Sequence, residues 1–158
     1  MVMRTEDGKI VLSGVCIVNK DDEVLLLRRT DHGHLETPGG KLEESDCDEF
    51  GRNGFTDGDL QRCAVREMFE ELGQGFIVEE FESLGSHSFT LPDGKPALAY
   101  KYRTRLLFGT PDIRETDKFS GYEWVPVVSL RDRDDLSPDF GGFIQPLQEQ
   151  VQKEKSSS

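Results

Sequence analysis

Apolar residues near the start of the chain fall into short runs. Three runs of strand length occupy residues 9–12, 15–18 and 24–27. The polar residues 19–22 between the last two runs have the composition of a turn. We therefore expect an antiparallel hairpin that ends at the basic pair Arg28 and Arg29.

A helical pattern follows in residues 60–72, where apolar side chains recur at spacings of three and four. Asp59 is a residue type that caps helix N-termini, and Gly73 is one that ends helices. Beyond this helix, strand-like runs are predicted at residues 76–78, 83–89, 97–108 and 122–128. A last helix is predicted within residues 143–155.

The segment between the hairpin and the helix, residues 44–59, shows neither hydrophobic period. It is acidic and rich in glycine, so we interpret it as an inserted surface loop. The rest of the chain contains no internal repeat and no linker. The pattern thus predicts a single domain over residues 1–158, with a frayed tail at 154–158.

The charge balance restricts the partners of the protein. Acidic residues number 31 against 19 basic ones, which gives a formal net charge of −12. Because such a surface repels the phosphate backbone, we expect no nucleic-acid partner. A small polyanionic substrate is still compatible with this charge if a divalent cation mediates the contact.

The cysteines and the hydropathy bear on location. Cys16, Cys47 and Cys63 form no C-x-x-C pair, which favours reduced thiols over a disulfide framework or a structural zinc site. No apolar run approaches the roughly 20 residues that span a bilayer, and the first residues lack the apolar stretch of a signal peptide. We expect a cytoplasmic protein without a membrane partner, either a monomer or a homodimer.

Three glutamates of the predicted helix are candidates for chemistry. Glu67, Glu70 and Glu71 are spaced by three and four residues, which places like charges on one face. A hard divalent cation such as Mg²⁺ would compensate these charges, and the guanidinium of Arg66 would hold one carboxylate in place. The alternative interpretation is an ordinary amphipathic helix with a solvated acidic face.

The sequence around these glutamates resembles the Nudix box, which reads G-x5-E-x7-R-E-U-x-E-E-x-G-U with U aliphatic. Residues 38–43, PGGKLE, are similar to its opening, and residues 64–73, AVREMFEELG, are similar to its end. Residues 123–125, EWV, resemble a late strand of the family. The resemblance implies a Nudix-like α/β/α sandwich of the α+β class with a mixed central sheet.

The chain departs from the family pattern in its spacing. The family places its arginine 14 positions after the first glycine, whereas Gly40 and Arg66 are 26 positions apart, an insertion of 26 − 14 = 12 residues. Counted back from Arg66, the slot of the first glutamate holds Gly58, so that carboxylate is missing unless Asp57 or Asp59 replaces it. The last aliphatic slot holds Gln74.

The resemblance also implies the roles of the site residues. Glu70 and Glu71 would be the chief ligands of Mg²⁺ or Mn²⁺, together with the carbonyl of Gly40. Glu67 would be a ligand or the general base, and Arg66 would orient the cluster. Because the family often adds an acid from a late loop, Asp117 is our preferred distal ligand, with Glu115 as the other candidate.

Four further residues are candidates for binding substrate. Arg28, Arg29 and Lys41 are basic residues suited to phosphates, and Tyr122 is suited to stacking on a base.

Residues 109–126 and 136–140 resemble nucleotide-pool Nudix enzymes that convert (d)NTPs to monophosphates. The expected function is therefore hydrolysis of a phosphoanhydride bond in a nucleotide substrate. The alternative is a Nudix-fold domain that binds nucleotides without turnover.

Overall fold

The computed structural model describes residues 2–48 and 54–156. The strands found there are β1 (Ile10–Val18), β2 (Glu23–Arg29), β3 (Leu35–Glu36), β4 (Gly39–Lys41), β5 (Phe76–Val78), β6 (Glu82–Thr90), β7 (Pro96–Gly109) and β8 (Phe119–Pro126). The α-helices are α1 (Asp57–Leu72) and α2 (Ile144–Ser156). Short 3-10 turns occupy Glu44–Asp46, Val127–Asp132 and Gly141–Phe143.

Strand β1 is buried on both faces and organises the core. Val15 and Ile17 pack on the α1 side with Met68. Cys16 and Val18 point to the opposite face, where the core includes Leu147 and Val151 of α2. One helix therefore covers each face of the sheet, and the expected α/β/α sandwich of the α+β class is confirmed.

The sheet is mixed, and the predicted hairpin is present only at its turn. Strands β1 and β2 pair antiparallel at Val18 and Val24, and the side chain of Asn19 closes the turn between them by accepting two main-chain hydrogen bonds. Beyond this point β1 pairs in parallel with β7 and antiparallel with β4, while β2 pairs with β8. Tertiary pairing of β1 thus replaces the local hairpin expected from the pattern.

Helix α1 begins earlier than predicted. Thr56, rather than Asp59, is its N-cap: the Thr56 hydroxyl accepts from the Asp59 amide, and the Asp59 carboxylate accepts from the Thr56 amide. This reciprocal pair is a capping box, and it moves the helix start to Asp57. Gly73 ends the helix as predicted, with φ of 74° and its amide bonded to the carbonyl of Phe69.

Some residues of the segments predicted to be irregular belong to helices. In the predicted insertion, residues 44–46 form a 3-10 turn and residues 57–59 belong to α1, while residues 49–53 lie outside the described residues. In the predicted tail, residues 154–156 belong to α2, and residues 157–158 lie outside the described residues. Within residues 2–48 and 54–156, neither helix has the length and apolar character required to span a membrane.

Candidate active site

The site forms where β4 lies against α1. Gly14 of β1 and Gly39 of β4 approach so closely that a Cβ on Gly39 would lie 2.7 Å from the Cα of Gly14. This close contact lets the amide of Gly39 reach the helix, where it donates to Oε1 of Glu71 at 3.0 Å. Residues 38–40 and the glutamates of α1, widely separated in sequence, thus share one site.

Glu67 explains why glycine occupies position 40. A Cβ built on Gly40 would lie 2.4 Å from the carboxyl carbon of Glu67, which is closer than any real contact. The Glu67 carboxylate therefore lies directly over the main chain of β4. The carbonyl of Gly40, the predicted ligand, belongs to the strand that this carboxylate covers.

Arg66 is the centre of the acidic cluster. Its guanidinium bonds both carboxylate oxygens of Asp46, at 2.8 and 2.9 Å, in a bidentate ion pair. It also donates to Glu67 at 3.0 Å and to Glu70 at 3.3 Å. The same side chain therefore anchors the helix to the 3-10 turn at Glu44–Asp46 and holds two of the candidate ligands.

Asp46 corrects our expectation about the missing carboxylate. Neither Asp57 nor Asp59 faces Arg66, since Asp57 accepts from Tyr102 and Gln61 while Asp59 bonds Arg62. Counting forward from Gly40 would have found the right residue, because Asp46 stands six positions later, where the box has its first glutamate. Counting backward from Arg66 gave Gly58 instead, because the twelve extra residues lie between Asp46 and Arg66.

The helical spacing placed the three glutamates on one face, but the structure exposes them to different extents. Glu67 and Glu71 are buried, and Glu71 retains only 1% of its accessible surface. The side chain of Glu70 is half exposed. Oε2 of Glu71 is buried and has no hydrogen-bond partner among residues 2–48 and 54–156, which is costly for an ionised carboxylate.

The electrostatics separate Asp46 from the glutamates. Burial raises the pKa of Glu71 to about 9, and the charge of Glu67 adds to this rise. Burial also raises the pKa of Glu67, against the opposing charge of Arg66. Burial acts in the same direction on Asp46, but its hydrogen bonds from Arg66 and from the Glu43 amide dominate, so the pKa of Asp46 is lowered. Glu67 and Glu71 are thus the carboxylates of the cluster whose ionised form burial disfavours.

The predicted substrate-binding residues are placed unequally. The guanidinium of Arg28 is already engaged in an ion-pair network with Glu123 and Asp135. Arg29 pairs with Asp31 and lies above the Phe119 ring.

Lys41 is exposed, and its carbonyl accepts from Arg66. Tyr122 packs against the core, and its hydroxyl donates to the carbonyl of Pro111, which makes it part of the framework around the site.

The loop before β8 contributes a positive charge that acts on the cluster. Asp117 is exposed, whereas the charge of neighbouring Lys118 acts to lower the pKa of both Glu67 and Glu71. Thr30 fixes this position, because its amide and hydroxyl both donate to the carbonyl of Lys118. From the sequence we named the acids of this loop as candidate ligands. We missed Lys118 because it belongs to no recognised motif.

A buried ion pair supports the site from the opposite face. Lys101 of β7 donates to the hydroxyl of Thr37 at 2.6 Å and to the carboxylate of Asp139 at 2.9 Å. Since Thr37 directly precedes residues 38–40, these bonds fix the approach of the chain to the site. Among residues 2–48 and 54–156, no three His, Cys, Asp or Glu side chains already form a metal-binding group.

Comparison with known proteins identifies the family of this chain. The family model described as NUDIX domain matches residues 9–145. The chain therefore belongs to the Nudix family, and it is a Nudix-type hydrolase. A search of curated proteins gives no match.

Solved structures agree with this assignment. The MutT protein from Methanosarcina mazei Go1 has a TM-score of 0.69 and 20% identity, over 96% of this chain and 99% of that chain. A MutT Nudix hydrolase from Burkholderia pseudomallei has a TM-score of 0.61 and 25% identity, over 89% and 96%. A C. elegans Ap4A hydrolase has a TM-score of 0.67 and 17% identity, over 91% and 98%. Together with the family match, these likenesses support a general pyrophosphohydrolase role.

Proposed function

We propose that the protein hydrolyses a phosphoanhydride bond in a nucleoside diphosphate that is linked to another moiety, with (d)NTPs as the preferred substrates. The products would then be a nucleoside monophosphate and pyrophosphate. The observation that carries this proposal is the buried Glu71 carboxylate, one oxygen of which has no hydrogen-bond partner in the part of the chain that the structure describes. A hard divalent cation would satisfy that oxygen and neutralise both carboxylates.

The donor set fits Mg²⁺ or Mn²⁺. Carboxylate and carbonyl oxygens are the ligands that these ions prefer. We assign the cation to Glu67, Glu70, Glu71 and the carbonyl of Gly40, and we retain exposed Asp117 as a further candidate ligand. When bound, the ion supplies charge neutralisation on the phosphates and acidifies a water molecule.

The residues of the chain divide the remaining work. Arg66 orients the Glu67 carboxylate through its 3.0 Å hydrogen bond, and Glu67 accepts the proton of the attacking water. The new bond joins the water oxygen to phosphorus, and the anhydride oxygen leaves with the pyrophosphate. The charges of Lys118 and Arg29 interact with that of Glu71, and these two residues are our preferred phosphate contacts, ahead of Arg28, Lys41 and Tyr122.

A nucleotide screen in ¹⁸O-water tests this assignment. With Mg²⁺ and a nucleoside triphosphate, attack at the α-phosphorus puts the label in the monophosphate and leaves the pyrophosphate unlabelled. Label in the pyrophosphate would move the attack to the β-phosphorus and reject our substrate geometry. Binding of a nucleotide without cleavage of any nucleoside diphosphate derivative would support the non-catalytic alternative.

We also propose that the protein acts in the cytoplasm, as a monomer or homodimer. The free thiols of Cys16, Cys47 and Cys63 are compatible with a reducing compartment. Its partner is a small nucleotide, not nucleic acid or a membrane, in keeping with the net charge of −12.

A further inference from the structure

One turn before Arg66, a second arginine of α1 contacts both ends of the inserted segment. Nε of Arg62 donates to the main-chain carbonyl of Asp46 at 2.9 Å. Its Nη2 lies 2.9 Å from the carboxylate of Asp48 and 2.5 Å from that of Asp59. Arg62 thus bonds residues that precede positions 49–53 and the first turn of the helix that follows them.

Asp59 completes this connection from inside the protein. It retains 1% of its accessible surface, and its two oxygens accept from different sides of the insertion. Oδ2 accepts from the Thr56 amide at 2.9 Å, and Oδ1 accepts from the Asp48 amide at 3.1 Å. Asp48 and Thr56, which lie on either side of residues 49–53, are therefore both bonded to the same buried carboxylate.

The position of Asp46 depends on the same contacts. Its carboxylate forms the bidentate ion pair with Arg66, and its carbonyl is held by Arg62. In an uninterrupted box, seven residues would connect this carboxylate to its arginine. Here 19 residues separate Asp46 from Arg66, so the chain alone constrains their distance weakly.

We propose that Arg62 and Asp59 form a clasp across the insertion and act as positioning residues for the catalytic cluster. The clasp holds Asp46 against Arg66, and Arg66 in turn orients Glu67 and Glu70. This inference rests on the proposed function only in assigning catalysis to those glutamates. It explains how the motif tolerates twelve extra residues without losing its internal ion pair.

The exposure of Arg62 makes the proposal distinguishable from a structural role. Its side chain is 48% exposed, and its pair with exposed Asp48 contributes little to stability. Buried Asp59 keeps its hydrogen bonds from the Thr56 and Asp48 amides when Arg62 is removed. A loss of the clasp should therefore affect the geometry of the cluster more than the stability of the fold. Asp59 is the poorer test, because its removal would also break the capping box of α1.

Arg105 offers a matched control at the other end of the sheet. Like Arg62, it donates to one main-chain carbonyl, that of Asn19, and pairs with two carboxylates, those of Asp22 and Glu154. Our proposed function assigns a metal-binding or catalytic role to none of these four residues. The two variants Arg62→Ala and Arg105→Ala therefore remove similar sets of bonds from different places.

The experiment measures Mn²⁺ binding by titration calorimetry, melting temperature, and kcat and KM separately. Arg62→Ala should weaken Mn²⁺ binding and lower kcat by about 10-fold each, the range found for residues that orient metal ligands, with KM little changed. Arg105→Ala should leave all three near wild type, and both variants should melt at similar temperatures. Equal Mn²⁺ affinities in the two variants would overturn the proposal.

A second background tests whether the clasp serves the insertion. Replacing residues 49–55 with a short Gly-Ser link ties Asp48 to Thr56 covalently, so Arg62→Ala should then cost less in Mn²⁺ affinity. An unchanged cost would show that Arg62 does not compensate for the extra residues. If wild type cleaves no nucleotide, the proposed function fails, whereas the Mn²⁺ titrations still decide the clasp.

Discussion

Two buried carboxylates of the site, Asp46 and Glu71, differ in how their charge is compensated. Asp46 receives two hydrogen bonds from Arg66 and one from the Glu43 amide, and its pKa is lowered. Glu71 receives one hydrogen bond from the Gly39 amide, and its pKa is raised to about 9. The protein itself stabilises the ionised form of Asp46 but not that of Glu71, which a divalent cation would stabilise in our proposal. Asp46 is therefore a structural residue of the site, whereas Glu71 is a candidate metal ligand.

Removal of the cation should have the largest effect. If Glu67 and Glu71 act through a divalent ion, exhaustive chelation with EDTA should abolish hydrolysis, and Mg²⁺ or Mn²⁺ should restore it. Pyrophosphate release measured before and after dialysis against each ion checks this. Full activity in metal-free protein would remove the basis for distinguishing Glu71 from Asp46.

The variant Glu71→Gln should separate activity from stability. Activity should fall by about 100-fold or more, because a metal contribution of several kcal/mol corresponds to at least two factors of ten. At pH 8 the metal-free variant should be more stable than wild type by at least about 1 kcal/mol, since each pKa unit corresponds to about 1.4 kcal/mol. Urea unfolding and initial rates measure the two effects. A destabilised, active variant would make Glu71 structural.

The variant Asp46→Asn should change stability in the opposite direction. It leaves the guanidinium of Arg66 without its bidentate partner, and breaking such a buried pair costs about 3 kcal/mol. Urea unfolding of the metal-free protein gives the sign directly. Stabilisation by Asp46→Asn, as expected for Glu71→Gln, would show that the two carboxylates are equivalent.

The stability of the metal-free protein should depend on pH through Glu71. Its pKa is about 9 in the folded chain against 4.5 for an unperturbed glutamate, so between these values the folded state binds more protons. Stability should therefore fall as the pH rises from about 5 to 9, by at most about 1.4 kcal/mol per pH unit. Melting curves across this range test the slope, which Glu71→Gln should reduce. A flat profile in wild type would contradict the burial of an unpaired carboxylate.

Shortening the insertion should have the smallest effect on stability. Replacing residues 49–55 with a Gly-Ser link preserves Asp46, Asp48 and the clasp, and loop-closure entropy changes by well under 1 kcal/mol for such a cut. Thermal unfolding of the shortened chain measures this. A folded variant that loses activity would assign the removed residues a contact with substrate, and an unfolded one would assign them to the core.

The sequence predicted much of the fold because its local signals agree. Apolar runs with turn residues between them placed β2 and β5 to β8 within a few residues, and a stripe with spacings of three and four placed α1. The hairpin of β1 was wrong over most of its length, because its partners β4 and β7 are distant in sequence. Pairing between distant strands leaves no trace in local periodicity.

By itself, the sequence determined the family, the glutamates of the cluster and the arginine beside them, because these residues lie within one helix at fixed spacings. The tertiary structure decided which carboxylate pairs with Arg66, since the twelve inserted residues make the count forward from Gly40 and the count backward from Arg66 end at different residues. It also decided that Glu71 is buried and Glu70 exposed, and that the charge of Lys118 acts to lower the pKa of Glu71. Burial and charge pairing depend on what packs against the helix, and those partners come from β4 and from the loop before β8.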